Sequence, residues 1–293
     1  MKGGKKILFL IIAIALICCS CSGSHKNKGK TDEYTDDYNR TVQVPKAPQR
    51  VVSLSPAVTE IIFAIGADNL LVGRTEFCMY PPEASGIEDI GGISNLNIEK
   101  VLSVNPDLII GGSMIPQKTV KKIEDLGVSI AFVTEKKHFE GLYENIEKIG
   151  QLVGQKAQAD SLVRALRNEV KALGTADGTK TKSVYYVVGF GSGGDFTAGG
   201  DTFINDIINM AGGRNIASDS KGWTFSKEAL IQADPDFILI RAEDSATFCR
   251  TSPYNQLSAV KNGNTIALED GILDLQVPRN IELIKRLRER FNK

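Results

Sequence analysis

Short apolar runs alternate with amphipathic stretches along most of the chain. The run RVVSLSP at 50–56 is typical of a β-strand that ends at a helix N-cap. After it, four apolar positions follow helical spacing: Val58, Ile61, Ile62 and Ile65. The alternation of strand and helix continues to VSIAFV at 128–133 and starts again at SVYYVV, 183–188. This order predicts an α/β fold with mainly parallel sheets.

One phrase of this pattern occurs twice. NIEKVLSVNPDLII at 97–110 and SKEALIQADPDFILI at 226–240 each begin with a small polar residue, with a glutamate two positions later. In both, Pro-Asp follows that glutamate at the same spacing and leads into an aliphatic run. We interpret the two copies as a duplicated architecture of two Rossmann-like lobes, with a cleft between them for a ligand.

A long amphipathic stretch separates the two copies. From residue 139 to 173 the pattern is helical, with predicted breaks at Gly150 and Gly154. The last part, the inter-lobe segment 156–174, predicts a single helix over 156–173, about 27 Å long at 1.5 Å per residue. It is interpreted as a rigid inter-lobe helix between an N-terminal lobe at 50–155 and a C-terminal lobe at 183–293.

The N-terminus has the features of an export signal. MKGGKKILFLIIAIALICCSCSGS combines lysines with an apolar run too short to span a bilayer, as in a signal peptide at 1–20. Cysteines follow that run, as in bacterial lipoproteins. Either Cys19 or Cys21 is the expected lipidation site, and a signal without lipidation is the alternative. The polar segment at 21–49 is predicted to be a flexible tether.

Composition excludes some function classes. The 293 residues carry 35 Lys+Arg and 35 Asp+Glu, and without the three lysines of the signal 32 basic residues remain. A mildly acidic chain is not expected to bind nucleic acid. Only Cys78 and Cys249 lie in the predicted lobes, and a disulfide between two separate lobes is not expected.

Five segments resemble a known family, the cobalamin, haem and ferric-siderophore binding proteins of ABC importers. They occur in family order: RVVSLSPAVTEIIFAIGA, YPPEA, NIEKVLSVNPDLII, DFTAGGDTFINDIINMAGGRNIA and SKEALIQADPDFILI. The resemblance covers roughly residues 50–293, and the cobalamin-binding type is closest. It implies two lobes joined by one long helix, a monomer without catalysis or cofactor, and delivery of a corrinoid or iron chelate to a permease dimer with its ATPase. With a lipid anchor, the protein would lie on the periplasmic face of the cell membrane.

A large macrocycle needs flat apolar surfaces and a few polar groups. The predicted ligand-binding residues are Ser55, Phe77, Tyr80, Phe196, Trp223, Asp270 and Arg279. The resemblance places Tyr80 and Phe196 at ligand-contacting positions and Trp223 within one residue of another. The alternatives are aromatics that cap the lobe cores, plain helix capping at Ser55 and solvated surface charges. Arg241 and Arg250 are further candidates for anionic ligands.

The repeated glutamates, Glu99 and Glu228, each lie in a predicted first helical turn. The helix dipole alone favours a carboxylate there. The resemblance implies that each lobe presents its glutamate to an arginine patch on the permease, where charge-assisted pairs fix orientation.

Other function classes have weaker support. GFGSGG at 189–194 fits the dinucleotide fingerprint, but DFTAGG continues the loop where a helix should begin. His25 and His138 are the two histidines of the sequence, so no site for a free metal ion is predicted. Axial ligation of haem by Tyr80 with His138, and a signalling or surface-scaffolding lipoprotein on the same fold, remain alternatives.

Overall fold

The computed structural model describes residues 30–93, 96–113, 115–174, 181–269 and 271–292. Its strands are β1 (Thr31–Thr35), β2 (Thr41–Pro45), β3 (Val51–Ser53), β4 (Leu71–Arg74), β5 (Leu108–Gly111), β6 (Ser129–Phe132), β7 (Lys182–Val187), β8 (Gly213–Asn215), β9 (Phe237–Arg241) and β10 (Thr265–Leu268). Its α-helices are α1 (Pro56–Ala64), α2 (Ile98–Ser103), α3 (Gln117–Asp125), α4 (Gly141–Leu152), α5 (Lys156–Leu173), α6 (Phe203–Met210), α7 (Lys227–Ala233), α8 (Ala242–Arg250), α9 (Ser258–Lys261) and α10 (Asn280–Phe291). None of the helices in these residues is both long and apolar enough to span a bilayer.

Two four-stranded parallel sheets form the two lobes. The strand order is β4-β3-β5-β6 in the first lobe and β8-β7-β9-β10 in the second. In both, the first strand of the lobe lies between the second and the third, so the lobes have the same topology. The predicted duplicated α/β architecture is confirmed.

The repeated phrase has the same structural role in each lobe. Its first residue, Asn97 or Ser226, caps the following helix by accepting a hydrogen bond from a backbone N–H. Asp107 accepts from the backbone N–H groups of Gln49 and Arg50, just before β3. Asp236 accepts likewise from Ser183 in β7. Each Pro-Asp carboxylate therefore fixes the first strand of its own sheet.

The residue before each proline also corresponds. Asn105 and Asp234 have φ angles of 47° and 38°. Asparagine and aspartate enter this left-handed region more readily than most other side chains. The turn from helix to strand thus explains why a short polar residue precedes Pro-Asp in both copies.

The predicted tether at 21–49 is wrong for residues 31–45, which form the antiparallel hairpin β1–β2. One face of the hairpin is buried through Tyr34, Val42 and Val44. Asp37 ties it to the first lobe, because its carboxylate accepts from Lys136 Nζ and Lys148 Nζ, both at 2.5 Å. With three buried apolar side chains in a polar sequence, the period-two alternation was too sparse to indicate strands. The signal peptide at 1–20 lies outside the described residues.

Helix α5 connects the lobes in sequence, and the lobes also pack against each other. One apolar core includes Ile62 and Ile149 of the first lobe, Val163 of α5, and Ile208 and Ile284 of the second. The predicted break at Gly150 is wrong because that glycine lies inside α4. Its Cβ position would lie 2.3 Å from Ala159 Cβ, so glycine permits the close approach of α4 and α5. At Gly154, φ is 72°, and the chain turns there between the two helices.

Candidate functional site

Exposed aromatic side chains lie where parallel strands end in both lobes. In the first lobe, Phe77 and Tyr80 follow β4 and are 61% and 46% exposed. In the second, Phe196 and Trp223 lie in the loops after β7 and β8 and are 38% and 47% exposed. These four rings are not buried inside the lobe cores, because each presents a large face to solvent.

A ribbon of two loop segments, around 196–200 and 218–223, is joined by backbone hydrogen bonds and carries the rings of Phe196 and Trp223. Thr197 N donates to Trp223 O at 2.8 Å, and Gly199 N donates to Gly222 O at 2.9 Å. At Gly200, an added Cβ would lie 1.9 Å from the carbonyl oxygen of Ser218. The glycines of DFTAGG therefore let two chain segments approach closely, which positions Phe196 beside the Trp223 loop.

A cavity of about 400 Å³ is lined by the start of α1 and by the residues that follow β5 and β6. The polar side chains in its lining are Ser55, Ser113, Thr134, Glu135 and Asn145, and Leu275 reaches it from the second lobe. Ser55 is the N-cap residue of α1 but makes no side-chain capping bond. Plain capping is therefore not the role of its hydroxyl group.

An ion pair joins the lobes beside the aromatic side chains. Arg279 Nε and Nη2 donate to the two carboxylate oxygens of Glu60 at 2.7 and 2.8 Å. The guanidinium carbon of Arg279 also lies 4.4 Å from the centre of the Tyr80 ring. Burial raises the pKa of Glu60 although Arg279 acts in the opposite direction. Arg279 is thus beside the predicted site, and it is engaged with the opposite lobe.

Negative charge concentrates near the cavity. Glu135 lines the cavity and is an exposed residue, although nearby protein atoms reduce the hydration of its carboxylate. This partial desolvation, together with the charge of Asp274, raises its pKa to about 7, and the backbone N–H of Gln276 offsets part of the effect. Asp274 itself accepts from Tyr186 Oη at 2.5 Å and from Arg241 Nε at 2.8 Å.

Comparison with known proteins identifies the family. Residues 51–270 match the family described as periplasmic binding protein. The chain belongs to this family. As a periplasmic binding protein it serves transport and is not an enzyme, and its fold confirms the predicted class.

Individual relatives support the same assignment. This periplasmic binding protein is 30% identical to the ABC transporter substrate-binding lipoprotein YvrC of Bacillus subtilis (strain 168), covering 98% of this chain and 96% of that protein. It is 28% identical to a cobalamin-binding protein of Halobacterium salinarum, covering 100% and 86%. The structure of the periplasmic heme-binding protein RhuT from Roseiflexus sp. RS-1 superposes with a TM-score of 0.71 at 28% identity, covering 83% and 97%. The protein is therefore the substrate-binding component of an ABC importer.

The two repeated glutamates occupy equivalent positions in the periplasmic binding protein. Glu99 and Glu228 are exposed in the first turns of α2 and α7. The pKa of Glu228 is lowered by its own backbone N–H and by the Ser226 hydroxyl group. Neighbouring Lys227 turns inward, with Nζ 5.5 Å from the centre of the Tyr254 ring.

Several predicted residues have other placements. Cys19, Cys21 and Asp270 lie outside the described residues. Cys78 is buried within 3.2 Å of Thr75 Oγ1, and both it and Cys249 are free thiols. The sequence did not single out Glu60, Glu135 or Asn145, because a polar residue in a helix or after a strand is ordinarily solvated.

Proposed function

We propose that the protein captures a cobalamin-type corrinoid between its two lobes and delivers it to an ABC permease. The observation that carries this proposal is the set of four exposed rings, two on each lobe: Phe77, Tyr80, Phe196 and Trp223. Flat aromatic faces on loops that follow parallel strands suit a rigid macrocycle. The cobalamin-binding relative supports the corrinoid, and the heme-binding relative makes haem the alternative.

The ligand is tested by calorimetric titration of the purified protein with cyanocobalamin, haemin and a ferric siderophore. We expect saturable binding of cyanocobalamin, with quenching of Trp223, which is the single tryptophan of the sequence. Phe196→Ala should weaken binding about tenfold or more, since stacked aromatic contacts add to the free energy of burial. Leu126→Ala is the matched control, because Leu126 is 49% exposed at the end of α3. If only haemin binds, haem takes the place of the corrinoid as the proposed ligand. If none of the three compounds binds, the proposal is refuted.

Docking on the permease is assigned to Glu99 and Glu228. An open recess of about 390 Å³ beside Glu228, lined also by Ile231 and Pro253, offers apolar contact next to that charge. Each glutamate should contribute tenfold or more to docking, since charge-assisted hydrogen bonds between a carboxylate and a guanidinium group are among the stronger polar contacts.

The docking test uses the cognate permease and its ATPase in liposomes. Glu99→Ala and Glu228→Ala should each reduce stimulation of ATP hydrolysis while ligand affinity in solution stays unchanged. Glu282→Ala is the control, because Glu282 is an exposed glutamate in the first turn of α10. Undiminished stimulation in the double variant would exclude docking through these two residues.

Membrane attachment is proposed through a lipid on Cys19 or Cys21. Polar residues up to the hairpin at Thr31 would separate the lobes from the bilayer. Labelling of cells with a fatty-acid analogue, followed by mass spectrometry of Cys19→Ser and Cys21→Ser variants, identifies the modified cysteine. Release of the unmodified wild-type protein from cells would refute anchoring.

A further inference from the structure

Four basic side chains of the two lobes are already paired with carboxylates. Lys136 and Lys148 hold Asp37 of the hairpin. Arg241 pairs with Asp274, and Arg279 pairs with Glu60, with N–O distances of 2.8 and 2.7 Å. The sequence singled out Arg241 and Arg250 for anionic groups and Arg279 as a polar residue of the cleft, and Arg250 is exposed at the end of α8. An anionic arm of a ligand that paired with Arg241 or Arg279 would have to displace the carboxylate already bound there.

Hydrogen-bond acceptors remain available at the cavity. Glu135 lines the cavity, and among the described residues no lysine or arginine contributes to the shift of its pKa. Asn145 also lines it and is 4% exposed, and its Oδ1 is buried without a hydrogen-bond partner. Its Nδ2 donates to Thr134 O at 3.0 Å, which fixes the amide with Oδ1 as the unsatisfied end. A buried acceptor without a partner is costly, and a donor entering here would relieve that cost.

The cavity adjoins the aromatic residues. Ile93 forms part of its lining, and Gly92 packs beside Phe77, whose Cε2 lies 3.9 Å from the Cβ position of that glycine. The ligand proposed for the cleft is far larger than this cavity of about 400 Å³, so only a peripheral arm of it would enter.

We propose that the cavity selects a ligand with neutral, hydrogen-bond-donating carboxamide arms over one with carboxylate arms, through acceptors at Glu135 and Asn145. The inference rests on the proposed capture of a macrocycle in the cleft and adds the chemistry of its periphery. Glu135, reinforced by the nearby carboxylate of Asp274, repels an anionic arm and accepts from an amide N–H. A carboxamide is small enough for the cavity and satisfies such acceptors without a counter-ion.

The test compares two probes with the same corrin ring. Cyanocobalamin carries peripheral carboxamides and a nucleotide loop, whereas dicyanocobyrinic acid carries carboxylates and lacks that loop. The effect of the arms is therefore taken from how the Glu135 variants change the preference. We expect the wild-type protein at pH 7.5 to prefer cyanocobalamin at least tenfold by calorimetry. Glu135→Gln should reduce this preference about fivefold or more, and Glu135→Lys should reduce it further. Glu33→Lys has the same charge change on an exposed strand and should leave the preference within twofold.

Measuring the preference over a pH series separates the effect of the Glu135 charge from effects that do not depend on this residue. Because the pKa of Glu135 is raised to about 7, the wild-type preference for the amide probe should increase between pH 6 and pH 8. The preference of Glu135→Gln should stay flat over that range. Equal binding of the two probes, or an unchanged preference in Glu135→Gln, overturns this inference while leaving corrinoid capture intact. If neither probe binds, the proposed function fails, and this inference fails with it.

Discussion

The ion pair between Glu60 and Arg279 gives a quantitative test of how the lobes are held together. The two hydrogen bonds are bidentate, and the side chains of Arg279 and Glu60 are 15% and 4% exposed. Arg279→Met would leave a buried carboxylate without its partner. Breaking a buried pair in this way costs about 3–5 kcal/mol. We therefore expect the free energy of unfolding at pH 7 to fall by about 3 kcal/mol, the lower end of that range.

The sign of the pH dependence follows from the carboxylate left behind. Loss of Arg279 raises the pKa of Glu60 further, because burial then acts on it without the opposing cation. The Glu60 carboxyl group of the variant should therefore hold its proton to higher pH than that of the wild-type protein. The destabilisation by Arg279→Met should therefore be smaller at pH 5 than at pH 7.

Urea unfolding followed by Trp223 fluorescence measures these differences. Lys285→Met is the matched control, because it breaks only exposed pairs, with Glu169 and Glu282. It should change the free energy of unfolding little, since exposed ion pairs contribute little to stability. Glu60→Met combined with Arg279→Met removes both charges and should recover most of the loss. The reasoning is refuted if Arg279→Met costs no more than Lys285→Met, or if the double variant is as unstable as the single one.

Three further changes test other parts of the structure. As the pH rises from 4.5 to 7, the stability of the wild-type protein should fall relative to that of Glu135→Gln, because the raised pKa of Glu135 favours the folded state only while this residue holds its proton. Thermal unfolding midpoints of the two proteins that change in parallel over this range would contradict this. Gly200→Ala should destabilise the protein in urea, because its Cβ would meet a backbone carbonyl oxygen at 1.9 Å, whereas Gly193→Ala has open space and should be neutral; equal effects would contradict the close approach of the ribbon. Asp37→Asn should lower the stability of the hairpin by about 2 kcal/mol, because it weakens charge-assisted bonds to two lysines. The exposed control Asp32→Asn should lower it far less. Limited proteolysis of the hairpin measures the difference, and equal cleavage rates of the two variants would contradict the contact.

Much of each lobe was predictable because its determinants are local. The N-caps Asn97 and Ser226 and the two Pro-Asp turns lie within single helix–turn–strand units, so residue type and spacing were sufficient. The hairpin at 31–45 was missed because its stability comes from contacts with the first lobe, including the lysine pairs of Asp37. A polar ribbon with so small an apolar face has no strong period of its own.

The candidate site was predictable in part. The aromatic residues after strand ends were found because parallel strands collect their following loops at one edge of a sheet. Glu135 and Asn145 were not found, since their importance depends on the cavity that surrounds them. Arg279 was found as a polar residue of the cleft, but its partner Glu60 was not.

The sequence by itself determined the duplicated α/β units, the helix between them and the loops that carry the aromatic rings. Those features depend on interactions among neighbouring residues, which leave a periodic pattern in the chain. Only the tertiary structure decided which charges are satisfied and which acceptors remain open. Glu60 and Arg279 are separated by 219 positions in the chain, and no pattern of spacing reports a contact made when two lobes pack. Burial determines how much an unpaired charge destabilises the protein and which partner it needs. The chemistry of the cleft is therefore decided when the two lobes pack against each other.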